Sequence, residues 1–527
     1  MRGLATKLVR AARVRLEGGE AITRRPATCV TAPPASDSVP SVTIFVNILP
    51  GWLVLNFFAY WVVTVVLLIM DDREPSITIA WLFILVFLPF IGVFFYIFFG
   101  RDWKVVAQRK GWIQTLKRVE TEGMAPIYER NAGATERFER EWAGTIAVPV
   151  SRAITSENVA SILPAASVEL FVTGKAKFAR LKEDLAGAQR FIHLQYFIWE
   201  QDRLTAEIVP ILLERLEAGV EIRIMYDWIG CISFKKRELK QLARAGAIVR
   251  ADVTDLLRIN YRNHRKIVVI DGEIGYTGGM NVGQEYIDGG ERFATWRDTH
   301  MRLTGQAVAS LEKLYASRWF EHKKDHEDLF AVQYMPAPDP TAVETGTLVE
   351  IAAQGVEDAW SATRRAHMVA IGQAEKSVWI QSPYFIPDYS VYDVMINAAL
   401  SGIDVRFMMT GVPDKRTPFY AAQTYHRKLI EAGGKVYLYE AGFLHSKTIV
   451  VDGIISAVGT MNMDQRSLKL HKELMCWVFD KDFAQQCTDA FLADMDDCRV
   501  VTLDDVLAIR HLRKFRDQAA RLFSNVL

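Results

Sequence analysis

The sequence of 527 residues predicts an α/β protein in which two similar lobes, related by a pseudo-two-fold axis, follow a two-helix transmembrane hairpin. Three observations lead to this prediction. Two long stretches near the N-terminus carry no charge, strand-forming segments recur in the second half of the chain, and one His- and Lys-containing motif occurs twice at the same spacing. The first observation indicates a membrane anchor, and the other two indicate a duplicated α/β domain.

Composition limits the possible partners and the chemistry of the cysteines. Half of the residues are hydrophobic, and 63 basic side chains nearly balance 62 acidic ones, which leaves a formal net charge of +1. A nearly neutral chain has no overall field that attracts nucleic acid, so we expect no nucleic-acid partner. The five cysteines lack any Cys-x-x-Cys pair, and we therefore expect reduced thiols rather than a zinc site or a disulfide framework. They are Cys29, Cys231, Cys476, Cys487 and Cys498.

Two apolar stretches predict membrane-spanning helices. No charged residue occurs in 45–70 or in 75–100, and each stretch exceeds the roughly 20 residues that cross a ~30 Å hydrocarbon core. We expect helices over about 45–70 and 77–99, joined by a tight acidic turn at 71–74. The alternative is a pair of buried helices in a soluble core, but soluble helices are rarely apolar on every face over such lengths.

The charges beside these stretches predict their orientation. Basic residues lie before the first stretch and after the second, whereas the connecting turn is acidic, so the positive-inside rule places both flanks in the cytoplasm. Residues 1–30 also have the Arg-rich, acid-poor composition of a mitochondrial transit peptide, and we favour a poorly structured basic tail. The flanking residues are Arg2, Lys7, Arg10, Arg13, Arg15, Arg24 and Arg25, and then Arg101, Lys104, Arg109, Lys110, Lys117 and Arg118.

An internal repeat divides the rest of the chain. The segment Phe191–Ile198 resembles Val378–Ile386, and Ala218–Met225 resembles Ser401–Met408, each a short strand-like run beside a helical one. The proline-rich segment Met335–Pro340 predicts a linker between the two halves. The predicted organisation is a basic tail at 1–44, a hairpin at 45–100, a basic connector at 101–160, a first lobe at 161–334, a linker at 335–346, a second lobe at 347–502 and an amphipathic helix at 503–527.

The strongest match between the halves is a chemical motif. Both copies read His-x-Lys-x4-Asp, followed by x6-Gly-[Gly/Thr]-x-Asn, at identical spacing. Only 10 of the 527 residues are His, so chance does not explain five shared positions in two copies. The first copy contains His264, Lys266, Asp271, Gly278 and Asn281, and the second contains His445, Lys447, Asp452, Gly459 and Asn462.

The motif residues suit a phosphodiester. On a strand, residues i and i+2 point to the same face, so each His and its Lys project together. Two such sets facing each other form a cationic cage that binds a phosphodiester. One imidazole can attack phosphorus while the other protonates the leaving alkoxide. We expect no metal and no cofactor, because the sequence shows no carboxylate cluster or His/Cys spacing that would hold a metal.

Other motif positions have competing interpretations. Asp271 and Asp452 belong to the catalytic motif, but each precedes a Gly in a predicted two-residue turn, which favours a structural role. We expect Asn281 and Asn462 to contact the phosphate of the substrate, although they could merely end strands.

Two features outside the His-x-Lys motifs also have two interpretations each. Tyr196 and Tyr384 occupy equivalent strand ends and either line the mouth of the site or pack in the core. Apolar residues at helical spacing in 503–527, with basic residues between them, predict either a helix on anionic lipid or one packed on the second lobe.

The doubled motif resembles the signature of the phospholipase D superfamily, and the hairpin with two lobes is similar to bacterial cardiolipin synthases. Fragments such as Trp296–His300 and Phe443–Lys447 support this resemblance, which runs from about residue 45 to the C-terminus. It implies a protein of the cell inner membrane with two spans, a cytoplasmic catalytic domain, and phosphatidylglycerol and membrane lipid as partners. It also implies that an acidic residue after each motif orients a histidine. Asp298 and Glu473 occupy these positions, whereas the usual Asn before the second acid is His471 here.

The resemblance leaves several activities to compare. The leading hypothesis is transfer of a phosphatidyl group between two phosphatidylglycerols, through a phosphohistidine that the resemblance places on His264. Hydrolysis of phospholipids by a membrane-bound phosphodiesterase is the alternative. A nuclease would gain nothing obvious from two membrane spans, and a non-catalytic scaffold would not need both motifs intact. The sequence does not determine the oligomeric state.

Overall fold

The computed structural model describes residues 41–70, 75–100, 123–155, 161–232, 236–252, 260–321, 332–355 and 361–524. The basic tail before residue 41, the acidic turn at 71–74, the basic residues at 101–118 and Cys29 lie outside the described residues. The first apolar helix forms one compact unit, and the chain from residue 75 onward belongs to a second. The four described cysteines are free thiols, as expected from their spacing.

The N-terminal part is helical. Helix α1 contains the only stretch, Gly51–Met70, that is long and apolar enough to cross a membrane among the described residues. The second predicted span is not one continuous helix, because Pro89, which has no backbone N–H, begins a new helix after Leu88. The helices are α1 (Ser41–Met70), α2 (Pro75–Phe87), α3 (Pro89–Phe95) followed by a short π-helix at Tyr96–Gly100, α4 (Ala125–Arg130), α5 (Ala132–Glu141) and α6 (Ala147–Thr155).

The first lobe alternates strands and helices around a seven-stranded sheet, in the order β2-β9-β7-β6-β3-β4-β5. Strands β3, β4 and β5 are parallel, and the strands on the other side of β3 are antiparallel. The elements are β1 (Leu163–Ala165), β2 (Ser167–Phe171), α7 (Gly174–Gly187), β3 (Phe191–Tyr196), α8 (Arg203–Glu217), β4 (Glu221–Asp227), α9 (Arg237–Arg244), β5 (Ile248–Asp252), β6 (Ile267–Ile270), β7 (Ile274–Gly278), α10 (Glu285–Asp288), β8 (Trp296–Arg297), β9 (His300–Thr304) and α11 (Val308–Glu321).

The second lobe has a nine-stranded sheet in the order β1-β10-β19-β17-β16-β11-β13-β14-β20. A 3-10 turn at Val332–Tyr334 precedes it. Its elements are α12 (Pro340–Thr345), β10 (Thr347–Gln354), α13 (Ala362–Gly372), β11 (Ser377–Gln381), β12 (Phe385–Ile386), α14 (Tyr389–Leu400), β13 (Asp404–Thr410), α15 (Arg416–Glu431), β14 (Lys435–Tyr439), β15 (Phe443–Leu444), β16 (Thr448–Val451), β17 (Ile455–Gly459), β18 (Met463–Asp464), α16 (Gln465–Lys469), β19 (Glu473–Phe479), α17 (Lys481–Met495), β20 (Cys498–Val501), α18 (Leu503–Leu507) and α19 (His511–Arg521).

The two sheets repeat one topology, as the sequence repeat predicts. The order β9-β7-β6-β3-β4-β5 in the first sheet corresponds to β19-β17-β16-β11-β13-β14 in the second. One hydrophobic cluster contains residues from both sheets, such as Val269 and Met301 from the first and Val458 and Cys476 from the second. Because this core is shared, the two lobes form one packed body.

Three predicted boundaries differ from the structure. Strand β1 lies within the predicted first lobe but pairs with β10 of the second sheet. The predicted linker contains the short helix α12, which begins at Pro340 because the Asp339 side chain caps it and proline is well suited to the first helical turn. The predicted C-terminal helix is two helices, α18 and α19, separated at 508–510.

Candidate active site

Backbone contacts between the two lobes place both motif histidines at the boundary between the lobes. In the second lobe, β15 pairs in parallel with β8 of the first, and the His445 N–H donates to the Arg297 carbonyl at 2.7 Å. In the first lobe, Asn263 forms an isolated parallel β-bridge with Lys472 of the second lobe, and the His264 N–H donates to the Lys472 carbonyl at 2.9 Å. Each His-x-Lys segment therefore lies in extended chain just before its buried strand, rather than within it.

These contacts pair each histidine with the acid of the other lobe. His264 Nδ1 lies 3.0 and 3.1 Å from the two carboxylate oxygens of Glu473. His445 Nδ1 lies 2.6 Å from Oδ2 of Asp298. Both acids are completely buried. Glu473 directly follows Lys472 and Asp298 directly follows Arg297, and these are the residues whose carbonyls accept the histidine backbone N–H groups. A carboxylate that accepts from Nδ1–H leaves Nε2 of the ring for the reaction.

The two motif lysines lie in the same buried site. Lys266 Nζ donates to the His264 carbonyl at 2.7 Å, and Lys447 Nζ donates to the His445 carbonyl. Burial lowers the pKa of Lys266 to about 7 and that of Lys447 to about 8, while the charges of Glu473 and Asp298 act in the opposite direction. The two ammonium groups are therefore weakly solvated cations, as binding of an anionic phosphate requires.

The same environment keeps both imidazoles neutral. Burial, followed by the charges of Lys266 and Lys447, holds the pKa of His264 well below its usual value. Burial and the charge of Lys447 lower the pKa of His445 to about 4, against the opposing effect of Asp298. A neutral imidazole with a free Nε2 is a competent nucleophile near neutral pH.

The two aspartates of the motifs accept hydrogen bonds from backbone N–H groups at turns, which favours the structural interpretation of these residues over the catalytic one. Asp271 accepts hydrogen bonds from the backbone N–H groups of Gln189, Arg190 and Phe191 at 2.7–2.9 Å. Asp452 accepts equivalent bonds at the start of β11. Both lie at turns with positive φ, beyond a four-residue strand that separates them from the site by about 13 Å. Their role is to fix the turn against the neighbouring strand.

The asparagines and tyrosines have different environments. The Asn281 side chain accepts from the Ile198 N–H and donates to the Tyr286 hydroxyl at 2.7 Å. Within the described part of the chain, the buried Oδ1 of Asn462 has no hydrogen-bond partner. Tyr196 packs in the core of the first lobe, where its hydroxyl accepts from Lys177 at 3.1 Å. The Tyr384 hydroxyl donates to Asp414 at 2.8 Å.

His471 adds an imidazole beside His264 that neither motif contains. The two ring centroids are 5.8 Å apart, and His471 Nδ1 lies 3.6 Å from the Glu473 carboxylate, too far for a hydrogen bond. Among the described residues, His264, His471 and Glu473 form the one group whose ligand atoms are close enough to hold a metal ion. Sequence spacing could not reveal this group, because its members come from two lobes.

Several supporting residues were not recognised from the sequence. The Thr460 hydroxyl donates to Oε2 of Glu473 at 2.5 Å and so holds the acid that faces His264. Aromatic rings support the imidazoles, with Phe197 4.8 Å from His264 and Trp296 5.4 Å from His445, measured between centroids. A Cβ at Gly279 would lie 2.0 Å from Oδ1 of Asp298, so only glycine permits this close approach. The second motif has Thr460 at the position that corresponds to Gly279.

The paired imidazoles and the buried lysines define a class of enzyme that transfers phosphodiester groups through histidine. The comparisons agree with this class. Residues 181–301 and 368–495 match the family described as cardiolipin synthase, PLD-like domain, and residues 58–101 match the one described as phospholipase D-nuclease N-terminal. The crystal structure of phosphatidylserine synthase from Haemophilus influenzae, at 15% sequence identity, has the same fold over 72% of this chain and 100% of its own, with a TM-score of 0.55.

Curated relatives specify the family. Cardiolipin synthase of Listeria monocytogenes serotype 4a is 35% identical over 494 residues, which cover 90% of this chain and 98% of the relative. Cardiolipin synthase 2 of Bacillus anthracis is 34% identical over 87% of this chain and 88% of its own. The chain therefore belongs to the cardiolipin synthase family. It is a membrane-associated phosphatidyltransferase of phospholipid biosynthesis, with two PLD-like domains.

The lysine pKa values predict an alkaline loss of substrate binding. An ammonium group is charged below its pKa, so Lys266 and Lys447 lose their charges as the pH rises through about 7 and about 8. We expect kcat/KM for a dispersed short-chain phospholipid substrate to fall between about pH 7 and about pH 9. Bound phosphate raises both pKa values, so the fall in kcat should occur at higher pH. A kcat/KM that stays constant over this range would contradict the prediction.

Proposed function

We propose that the enzyme transfers the phosphatidyl group of one phosphatidylglycerol to the free glycerol hydroxyl of another, forming cardiolipin and releasing glycerol. The observation that supports this proposal most strongly is the crossed pairing of His264 with Glu473 and of His445 with Asp298. It provides two oriented imidazoles with opposite tasks, which is what a transfer in two steps requires.

In the first step, Nε2 of His264 attacks the phosphorus of the donor lipid. The N–P bond forms as the P–O bond to the headgroup glycerol breaks. The anionic phosphate of the bound donor raises the pKa of His445, so this imidazole is protonated on Nε2 in the complex and gives that proton to the departing alkoxide. Glu473 stabilises the positive charge that develops on His264, because it already accepts from Nδ1–H. The assignment of the nucleophile to His264 follows the family resemblance, and His445, the second imidazole of the site, then acts as the acid.

In the second step, the glycerol hydroxyl of an acceptor lipid replaces the departed headgroup. His445, now neutral, removes the hydroxyl proton, the oxygen attacks phosphorus, and the N–P bond to His264 breaks. Lys266 and Lys447 neutralise the phosphoryl oxygens in both steps. We assign a further contact with these oxygens to the side-chain amide N–H of Asn462, because a phosphoryl oxygen accepts and only the amide nitrogen can donate.

The membrane anchor favours a lipid over water as the acceptor. We propose that α1 is the first span and that 75–100 is a second, kinked span, with both flanks in the cytoplasm of a cell with an inner membrane. The break at Pro89 leaves little backbone unpaired, since the Leu88 N–H still donates to Ile84 at 2.9 Å. A Cβ at Gly92 would lie 2.8 Å from the Ile84 carbonyl, so this glycine allows the kink.

A product analysis tests the proposed reaction. Purified protein in mixed micelles receives phosphatidylglycerol without CDP-diacylglycerol or added metal, and mass spectrometry resolves the lipids. Cardiolipin with an equal amount of released glycerol would support transfer. Phosphatidic acid alone would show that water is the acceptor and that the enzyme is a hydrolase. If phosphatidylglycerol does not react by itself but does so with phosphatidylethanolamine, the second substrate in the proposal is wrong.

We expect EDTA to leave this turnover unchanged, because the two lysines already supply the positive charge at the phosphate. The measurement compares initial rates before and after dialysis against EDTA, with total metal content determined in both samples. A rate that disappears with the metal and returns when it is restored would contradict the expectation. Such a result would direct attention to the group formed by His264, His471 and Glu473.

A further inference from the structure

Helix α19 has an apolar face that the protein does not cover. Its inner face packs on α15, where Asp517 and Ala520 are buried. On the outer face, Leu512, Phe515 and Leu522 are 81%, 76% and 84% exposed. Contiguous large apolar side chains at such exposure mark a site of interaction rather than ordinary surface. Together with exposed Leu507 and Phe523, these side chains form what we call the C-terminal face.

The charges of the same segment indicate what covers this face. Residues 510–524 contain five basic side chains and one acid, Asp517, which is buried. Two of the basic side chains turn inward, since Arg516 lies 3.7 Å from the ring of Tyr420 and Arg521 lies 4.6 Å from that of Tyr425. The remaining three, Arg510, Arg513 and Lys514, are exposed. Apolar side chains bordered by cations are typical of a helix that lies in an anionic bilayer interface.

A cleft beneath the C-terminal face also combines cationic and apolar side chains. It has a volume of about 180 Å³ and lies between α15 and the two C-terminal helices. Arg427, His511 and Lys514 line it together with the apolar Val506 and Leu507. Asp517 also lines the cleft but is ion-paired with Arg516 at 2.7 Å. Cationic and apolar groups thus meet where a lipid headgroup and the start of its chains would lie.

A second copy of the chain suits this face less well than lipid does. In a symmetric dimer through the face, the basic side chains of one protomer would approach those of the other, and like charges in close contact oppose association. An anionic bilayer presents the opposite charge and an apolar interior at the same time. The charge pattern therefore favours lipid.

We propose that the C-terminal face docks on an anionic bilayer, with Leu512, Phe515 and Leu522 in the interface and the basic side chains at the phosphates. This contact is additional to the apolar helix α1. It holds the second lobe at the membrane surface, where donor and acceptor lipids enter the site. The binding itself does not depend on the reaction proposed above, so the two can fail separately.

A spin label on the full chain tests the docking directly. A nitroxide at Phe515→Cys is compared with one at Gln486→Cys, an exposed position on α17, in nanodiscs of phosphatidylglycerol and of phosphatidylcholine. Labelling of the unsubstituted chain sets the background from native thiols. We expect the label at 515 to become accessible to oxygen and protected from an aqueous nickel complex in the anionic discs only. A label that remains in water in anionic discs would overturn the proposal.

The same labels distinguish lipid from a second copy. Protection of position 515 in lipid-free detergent, with dipolar coupling between two 515 labels, would assign the face to a dimer and overturn the proposal. Protection that requires anionic lipid, without such coupling, supports it. Neither readout involves turnover, so an inactive preparation would not affect the conclusion.

Charge reversal connects docking to turnover. Arg513→Glu combined with Lys514→Glu should lower the rate on anionic vesicles by about 25-fold or more, because each of the two basic residues near the surface contributes about fivefold to binding. Lys240→Glu with Arg244→Glu on α9 makes the same change in net charge on the first lobe and serves as the control. Both pairs should keep the wild-type rate on dispersed short-chain lipid. An equal loss on dispersed lipid in the first pair would locate the defect in the fold and overturn the proposal.

Discussion

Replacement of His264 or His445 by Ala is expected to lower turnover of phosphatidylglycerol by at least about 10⁴-fold, since each removes a group that acts on the reacting bonds. Membrane insertion should not change, because both side chains lie at the boundary between the lobes and not in the apolar helices. The measurement is the rate of glycerol release, with near-ultraviolet circular dichroism to check the fold. Appreciable release by either variant would disprove the two-histidine mechanism.

An activated substrate separates the two roles. A phosphatidyl ester of p-nitrophenol has a leaving group that needs no proton, so the variant lacking the acid should still release nitrophenolate in a burst. The variant lacking the nucleophile should not. We expect the burst from His445→Ala and none from His264→Ala, and the reverse pattern would exchange the assignments. His511→Ala, which removes an imidazole on exposed α19, should behave as wild type on this dispersed substrate.

Glu473→Gln and Asp298→Asn are expected to lower kcat by about 10³-fold with little change in KM. An amide keeps the shape of the side chain but does not stabilise the imidazolium, and it can hold the ring in the wrong tautomer. Because both acids are completely buried, no solvent molecule at the surface can substitute for the lost charge. Similar losses for both substitutions would agree with the equivalent geometry at the two histidines.

The crossed pairing makes this prediction specific. In the His445→Ala background with the activated ester, Asp298→Asn should cause a much smaller loss than Glu473→Gln, because its imidazole partner is gone and only its effect on the charges of the two lysines remains. The opposite result would mean that each acid serves the histidine of its own lobe. Asp452→Asn is the matched control among the motif acids. It should lower the melting temperature and leave the burst of the folded protein intact, because its carboxylate accepts from backbone N–H groups at the start of β11.

Much of this site could be predicted from the sequence, because a linear motif records local geometry. The identical spacing of the two His-x-Lys segments predicted two imidazoles and two lysines in one site, and the alternation of short strands and helices predicted the repeated lobes. The turn role of Asp271 and Asp452 was also accessible, since Asp before Gly in a hairpin turn is a local preference. These features depend on residues that are near one another along the chain.

Other features depended on contacts between distant segments. The crossing of Glu473 to His264 spans 209 positions of the chain and requires the two lobes to share a core. The group formed by His471 with His264 and Glu473 exists for the same reason. At the boundaries, Pro89 divided an apolar stretch that composition alone joins, and the C-terminal amphipathic segment proved to be two short helices.

The sequence by itself thus determined the chemistry, the duplicated fold and the presence of an apolar anchor, because residue type and spacing specify which groups one strand or helix can present. Only the tertiary structure decided which acid serves which histidine, which motif residues remain outside the site, and which face of the C-terminal helix stays exposed. Pairing and exposure are properties of surfaces that meet after the chain has folded. No local pattern encodes which surfaces those will be.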